Sequence, residues 1–285
     1  MKLSLREARS SDARVLGPIC YEAFRSVCER HAFPPDFPNS EVPTGLFEHV
    51  IPRKDIYTVV AEMDGRIVGS NVLWENGEIA GVGPITVDPG VQGNSVGRML
   101  MDDVLSRAKA SGFDGVRLVQ VPFNNLTMAL YTKLGFDVKE PLSVMHGPTL
   151  KSSMPGFHVR SATSDDLERC DALCRQVHGH DRHGDLDDAI QQGTATVVER
   201  DGRITGYASS VGFFGHAVGE TNEDIKALIS NAEEFTGPGF HIPSRNADLM
   251  RWCLSNGFRI RQPMTLMSIG PYQEPEGAFV PSVIF

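Results

Sequence analysis

The chain repeats one pattern at the scale of a domain, and the repeat limits what it can fold into. Residues 3–13 (LSLREARSSDA) and 157–167 (FHVRSATSDDL) share an alternating strand, a basic residue, a polar cap cluster and the start of an amphipathic helix. Two alternating runs around an Asp-Gly turn occur at 56–74, about Asp64-Gly65, and again at 194–213, about Asp201-Gly202. A strand, an Asn-started helix and a Gly-Phe close end at Gly135-Phe136 and again at Gly257-Phe258. Between the copies, PTLKSSMPG at 148–156 has the composition of a linker. A length of 285 residues suits about two domains, which we place at 1–150 and 156–285.

One stretch of the first copy carries chemistry. Residues 85–105, ITVDPGVQGNSVGRMLMDDVL, read as strand, turn and helix, with the helix starting near Ser95 or Val96. First-turn N–H groups of a helix have no intrahelical partner, and the macrodipole makes that end positive. Small residues in the preceding loop let an anion approach, so the stretch suits a phosphate or pyrophosphate. No Gly-Lys-Ser/Thr follows, which excludes a Walker loop, and Gly90, Gly93 and Gly97 have the wrong spacing for a dinucleotide fingerprint.

The run Gln92-Gly93-Asn94-Ser95-Val96-Gly97, preceded by Val87-Asp88-Pro89 and followed by Arg98 and Leu100, resembles the coenzyme A loop of the GNAT N-acetyltransferases, Q/R-x-x-G-x-G/A. Ser95 stands where that family has its central glycine, and a serine tolerates positive φ poorly. A second segment, from Asn124 through Tyr131 to Gly135-Phe136, resembles the family's N-x-x-A-x-x-L-Y-x-x-x-G-F, with Thr127 in place of the alanine. The resemblance covers the core of residues 1–150. It implies a mixed α+β fold of two tandem GNAT-like domains, each a mostly antiparallel sheet flanked by helices, with a splayed central strand pair for the coenzyme.

It also implies site residues. Thr86, Val87, Gln92, Gly93, Asn94, Ser95, Val96, Gly97, Arg98 and Asn124 would bind acetyl-CoA, with strand N–H groups near Val87 meeting the oxyanion. Tyr131 would protonate or anchor the thioester sulfur; the plainer alternative is that it only packs. The proline-rich connection 31–45, HAFPPDFPNSEVPTG, closes over the acceptor in the resembled family, so Phe33 and Phe37 are candidates for that site, and pinning the loop to the core explains them equally well. Glu78, opening the strand that leads there, could act as base through water, but a solvated turn glutamate reads it better, and the family often has no single essential base.

The second copy lacks this chemistry. Residues 212–222, GFFGHAVGETN, stand where the coenzyme loop belongs, and Cys253 takes the Tyr131 position by the Gly-Phe alignment. We read residues 156–285 as a degenerate domain, with the Pro- and Gly-rich tail 271–285 packed on the domain pair or on a partner subunit.

A net charge of −9 argues against nucleic acid or an anionic membrane as main partner. No apolar run approaches a membrane span, and the N-terminus carries charge where a signal peptide has its apolar core, which implies a cytoplasmic protein. The five cysteines read as reduced thiols. Cys170, Cys174 and His178 lie at i, i+4, i+8, a set zinc accepts, yet buried thiols on an inner helix face explain them better, and no metal is expected.

Together these readings imply an N-acetyltransferase using acetyl-CoA on a small-molecule or peptide amine, with a homodimer left open. Two rivals stand beside it: an acyl-CoA sensor without turnover, and a pair of folds serving interaction alone.

Overall fold

The structure, a computed structural model, describes residues 2–284. The first half runs β1 (Leu3–Glu7), a 3-10 turn (Ser10–Asp12), α1 (Ala13–Arg30), α2 (Glu41–Val50), β2 (Ile56–Met63), β3 (Arg66–Trp74), β4 (Ala80–Val82), β5 (Thr86–Val87), a 3-10 turn (Pro89–Val91), α3 (Val96–Ala110), β6 (Val116–Gln120), α4 (Asn125–Lys133) and β7 (Asp137–His146). The second half repeats the order with β8 (His158–Ser161), a 3-10 turn (Ser164–Asp166), α5 (Leu167–His178), α6 (His183–Gln191), β9 (Thr196–Arg200), β10 (Arg203–Ala208), β11 (Ala217–Gly219), α7 (Asn222–Asn231), β12 (Phe240–Pro243), α8 (Ala247–Ser255), β13 (Arg259–Ile269) and β14 (Ala278–Val280).

The repeat extends to side chains. Arg6 donates to Asp12 at 2.7 Å and to Glu62 at 2.8 Å, tying the β1–β2 edge to the cap of the first helix. Arg160 does the same with Asp166 at 2.7 Å and Glu199 at 3.0 Å. In both copies the aspartate also accepts a backbone N–H three residues earlier, from Arg9 and from Thr163, which closes a capping box.

The halves interlock. One sheet runs β1-β2-β3-β4-β6-β13-β7-β12, with β5 attached to β3, and the other runs β14-β11-β10-β9-β8. So β13 of the second half lies antiparallel between β6 and β7 of the first, with Thr265 opposite Gln120 and Leu266 opposite both Val119 and Glu140. Against the first sheet, α3 buries Val96, Leu100, Met101, Val104 and Ala108, an amphipathic stripe recurring about every turn. Each fully buried side chain of this size stabilises by roughly 1.5–3 kcal/mol at most.

Several local expectations need correcting. A proline inside a helix ordinarily kinks or ends it, yet α1 runs unbroken past Pro18 to Arg30. At Gly17 a Cβ would meet Thr44 Oγ1 at 1.9 Å, so α1 and α2 approach where only glycine fits. The proline-rich connection 31–45 runs into a helix before its end. α2 begins at Glu41, with Pro43 in its first turn, where the missing N–H removes no helical bond. The strand that Glu78 was expected to open is two strands, β4 and β5, broken at Gly83-Pro84, and the second run expected up to residue 213 ends with β10 at Ala208, leaving 209–216 as a loop. That loop is tight: Phe213 N–H bonds Thr236 O at 2.9 Å, and a Cβ on Gly215 would meet Ser210 O at 2.3 Å.

All five cysteines are free and buried. Cys170 and Cys174 pack with Val177 and Leu186, and among the described residues no group of His, Cys, Asp and Glu is placed to hold a metal. No helix of the described residues is long and apolar enough to cross a membrane.

Candidate active site

The sheet parts where β4 gives way to β5. Ala80 and Gly81 pair in parallel with Val116 and Arg117 of β6, whereas Thr86 and Val87 pair with Ser70 and Gly69 of β3. Pro84 has no N–H for the ladder, and Trp74 Nε1 donates to Gly83 O at 2.7 Å, which holds the chain at the bend. Between β5 and the end of β6 lies a cavity of about 470 Å³. Antiparallel ladders turn alternate residues' backbone groups to opposite sides. Asp88 N–H bonds Val68 O at 2.8 Å, so the backbone groups of Val87 face the cavity, where Gln92 Nε2 meets Val87 O at 3.4 Å.

The loop at the cavity mouth is built residue by residue. Asp88 Oδ1 accepts from Gly90 N–H at 2.8 Å, and Asn94 Nδ2 donates to Val91 O at 3.0 Å. Ser95 then takes φ 63°, ψ 6°, the left-handed conformation that a glycine adopts without strain, and α3 starts at Val96. Its first turn holds no acidic residue, so the orphan N–H groups keep their positive end. Gln92, Gly93, Ser95, Val96, Gly97 and Arg98 all line the cavity with Thr86 and Val87. Asn94 does not; it braces the loop.

The opposite wall comes from β6 and α4. Asn124 lines the cavity, but its Oδ1 is committed to capping α4 at Thr127 N–H, as Oδ1 of Asn246 caps α8 at Leu249 N–H. Tyr131 is buried at 4 % exposure and lines the cavity. Burial alone pushes its phenol up, so the hydroxyl stays protonated and can donate. This is the state that a proton donor to a leaving sulfur requires.

The far end differs from expectation. Phe37 lines it, edge-on to Phe24 at 5.5 Å. Phe33 instead stacks on Phe123 at 4.3 Å, outside the cavity lining. Glu78 is likewise not on the cavity: it accepts from Arg175 and from Asp181 N–H, each at 3.1 Å. Burial would raise its carboxyl, but those two donors hold it below the usual range, which suits a strut between halves and not a base.

The carboxylate at this end is Asp36, between Pro35 and Phe37 in the proline-rich connection. It is buried at 8 % exposure and accepts from Gln262 Nε2 at 2.8 Å. Burial pushes its carboxyl up, with Gln262 and nearby Arg261 acting against the shift. Phe213 and Phe214 of the 209–216 loop, Met264 of β13, and Val283 and Ile284 of the tail complete the wall. None of these was legible beforehand. The tail's apolar end was the one visible hint, and its last residue, Phe285, lies outside the described residues.

The corresponding gap of the second half is filled by its own chain. There β14 pairs antiparallel with β11, Val218 opposite Phe279, and His241 Nδ1 of β12 donates to Pro281 O at 3.0 Å. At the start of α7, Thr221 N–H and Oγ1 both donate to Asp224, whose carboxylate occupies the positive helix end. Cys253, at the Tyr131 position, is a buried thiol that burial pushes up to about 12.

Residues 24–136 match the family model described as the acetyltransferase (GNAT) family. A structure named as a putative acetyltransferase from Pyrococcus horikoshii superposes on 96% of this chain and 91% of its own, with TM-score 0.73 and 16% identity. That likeness extends the fold over both halves. Shorter matches include the PaiA N-acetyltransferase of Thermoplasma acidophilum in complex with coenzyme A, at 18% identity over 49% of this chain and 92% of that one, TM-score 0.42. Another is a phosphinothricin acetyltransferase of Sinorhizobium meliloti in complex with AcCoA, at 24% identity over 50% and 80%, TM-score 0.42.

Proposed function

We propose that this chain, which carries a GNAT-family acetyltransferase domain over residues 24–136, moves an acetyl group from acetyl-CoA to a primary amine by direct attack. The first half would be the working copy and the second a degenerate one. The family and fold support acyl transfer; the coenzyme and the amine are our reading. One observation carries it: the anion-cradling loop 92–98 and the protonated Tyr131 share one cavity between parted strands.

In this reading the N–H groups at 96–98 and Arg98 hold the pyrophosphate, and the acyl arm enters the gap beside Val87. The acceptor's ammonium gives up one proton, the resulting amine attacks the thioester carbonyl, and Val87 N–H meets the oxyanion. The C–N bond forms and the C–S bond breaks. The sulfur takes a proton from Tyr131, which is restored by the second proton of the nitrogen. The sum is an amide, a free thiol and one proton released.

Calorimetry with acetyl-CoA, followed by thiol release with a panel of amines, tests this. Expected are one coenzyme site per chain and amine-dependent thiol release. Coenzyme binding without turnover on any amine would replace the transferase with a sensor, and no binding would replace both with an interaction protein.

A further inference from the structure

The far end of the cavity is built by both halves, and its composition restricts what can sit there. Its walls are apolar: Phe37 from the first half, Phe213, Phe214 and Met264 from the second, and Ile284 from the tail. Asp36 is the buried ionisable group among them; Arg30, which also lines the cavity, is exposed. Gln262 fixes the Asp36 carboxylate through Nε2, which leaves Gln262 Oε1 buried with no hydrogen-bond partner among the described residues. Arg261 lies close but gives its Nη2 to Pro35 O at 2.8 Å. Gln262 stands behind Asp36, outside the cavity lining, so the carboxyl of Asp36 is the group that faces the apolar space, and it suits a donor that carries a positive charge, which an ammonium is.

We propose that the acceptor is a monoamine on an apolar body, its ammonium seated on Asp36 and its body against Phe213, Phe214, Met264 and Ile284. This rests on the acetyl-transfer reading and names the acceptor of the same site. A sugar would bury hydroxyls against these walls without partners, and a polyamine would bury a second charge with no counter-ion. Asp36 accepts the first proton: the ammonium becomes an amine with a free lone pair, the carboxylate becomes a carboxylic acid, and the acid later returns its proton to water. The second half thus acts as the wall that selects the acceptor.

Thiol release with acetyl-CoA is compared for 2-phenylethylamine and 3-methylbutylamine against glucosamine and spermidine. At least a tenfold higher kcat/KM for the first pair is expected. Phe214→Ser, on a partly exposed loop, should lower kcat/KM for 2-phenylethylamine about tenfold and leave the KM for acetyl-CoA unchanged. Calorimetric binding of 2-phenylethylamine to the full chain loaded with coenzyme A should weaken about tenfold in Asp36→Asn. Preference for glucosamine or spermidine would overturn the acceptor class while leaving acetyl transfer standing. Binding of 2-phenylethylamine that is lost in both variants, but without turnover, would support the seat and remove the transferase reading. Binding unaffected by both substitutions, or no binding and no turnover with either apolar amine, would overturn the proposal.

Discussion

Gln262 donates its side-chain N–H to Asp36 at 2.8 Å across 226 residues of chain. The bond joins a loop of the first half to a strand of the second, because β13 is threaded between β6 and β7. The far end of the cavity is therefore a product of the interlock. It also means that the halves cannot be compared as separate fragments, since each would expose the ladder edges that the other covers. Tests belong on the full chain.

Asp36→Asn should separate activity from stability. Burial raises this carboxyl, so the folded state holds its proton more tightly than the unfolded state does. Its contribution to stability is full below the ordinary carboxylate range and is lost as pH rises through the raised value. Near neutrality the uncharged asparagine should thus melt at the same or a higher temperature than wild type. Turnover should fall about 10²–10⁴-fold if Asp36 takes the amine proton, and the acid limb of the wild-type rate profile should sit above the ordinary carboxylate range. Thermal melts at pH 5 and pH 8, with pH–rate profiles of both proteins, check this; an unchanged rate would remove Asp36 from the chemistry.

Gly97→Glu should abolish coenzyme binding in a protein that still folds. A Cβ at Gly97 would make ordinary contacts with Val87 and Leu130, at 3.8 and 3.9 Å, so bulk alone does not disrupt the helix start. The added carboxylate would point a negative charge into the anion cradle. Calorimetry with acetyl-CoA should read at least a hundredfold loss, with Gly97→Ala far milder. Equal affinity in the glutamate variant would place the coenzyme elsewhere.

Ser95→Gly should bind the coenzyme as well as wild type or better. Ser95 sits at φ 63°, where a side chain costs roughly 1–2 kcal/mol. Glycine removes that cost but loses roughly 0.5–1 kcal/mol of chain entropy, so a net gain of about 0.5 kcal/mol is expected in denaturant unfolding. A large fall in affinity would instead assign the serine hydroxyl to the phosphate.

Tyr131→Phe should lower kcat and kcat/KM together by about 10²–10⁴ and leave acetyl-CoA affinity nearly unchanged. The ring keeps its edge contact with Phe136 at 6.1 Å, so the fold should hold. Because burial raises the phenol, its proton stays on through neutral and mildly alkaline pH, and Tyr131 should add no alkaline limb there. Steady-state kinetics with an amine that turns over decides it, provided thiol release is shown to limit the rate.

The local sequence determined the elements that depend on neighbours in the chain. The anion loop is visible because Asp88, the small residues at 93–97 and the helix of α3 act within a dozen positions of one another. The repeat is visible because Arg6 and Arg160 use their partners at the same spacing, six residues on. The strain at Ser95 was legible only through the resemblance, because a serine stands where the family has its central glycine, and the structure gives it φ 63°. What tertiary structure decided is everything that crosses between halves. Nothing near Glu78 in sequence indicates that Arg175 and Asp181 would claim it, and nothing near Asp36 indicates Gln262. Phe213 and Ile284 could have covered either half, and β14 could have hung free instead of filling the second gap. Such contacts come from strand exchange and burial over more than a hundred residues, where the cost of ordering the chain is recovered only once the whole sheet has closed. Local periodicity carries no record of that closure, so the loop side of the cavity, residues 92–98, was legible and the Asp36 side was not.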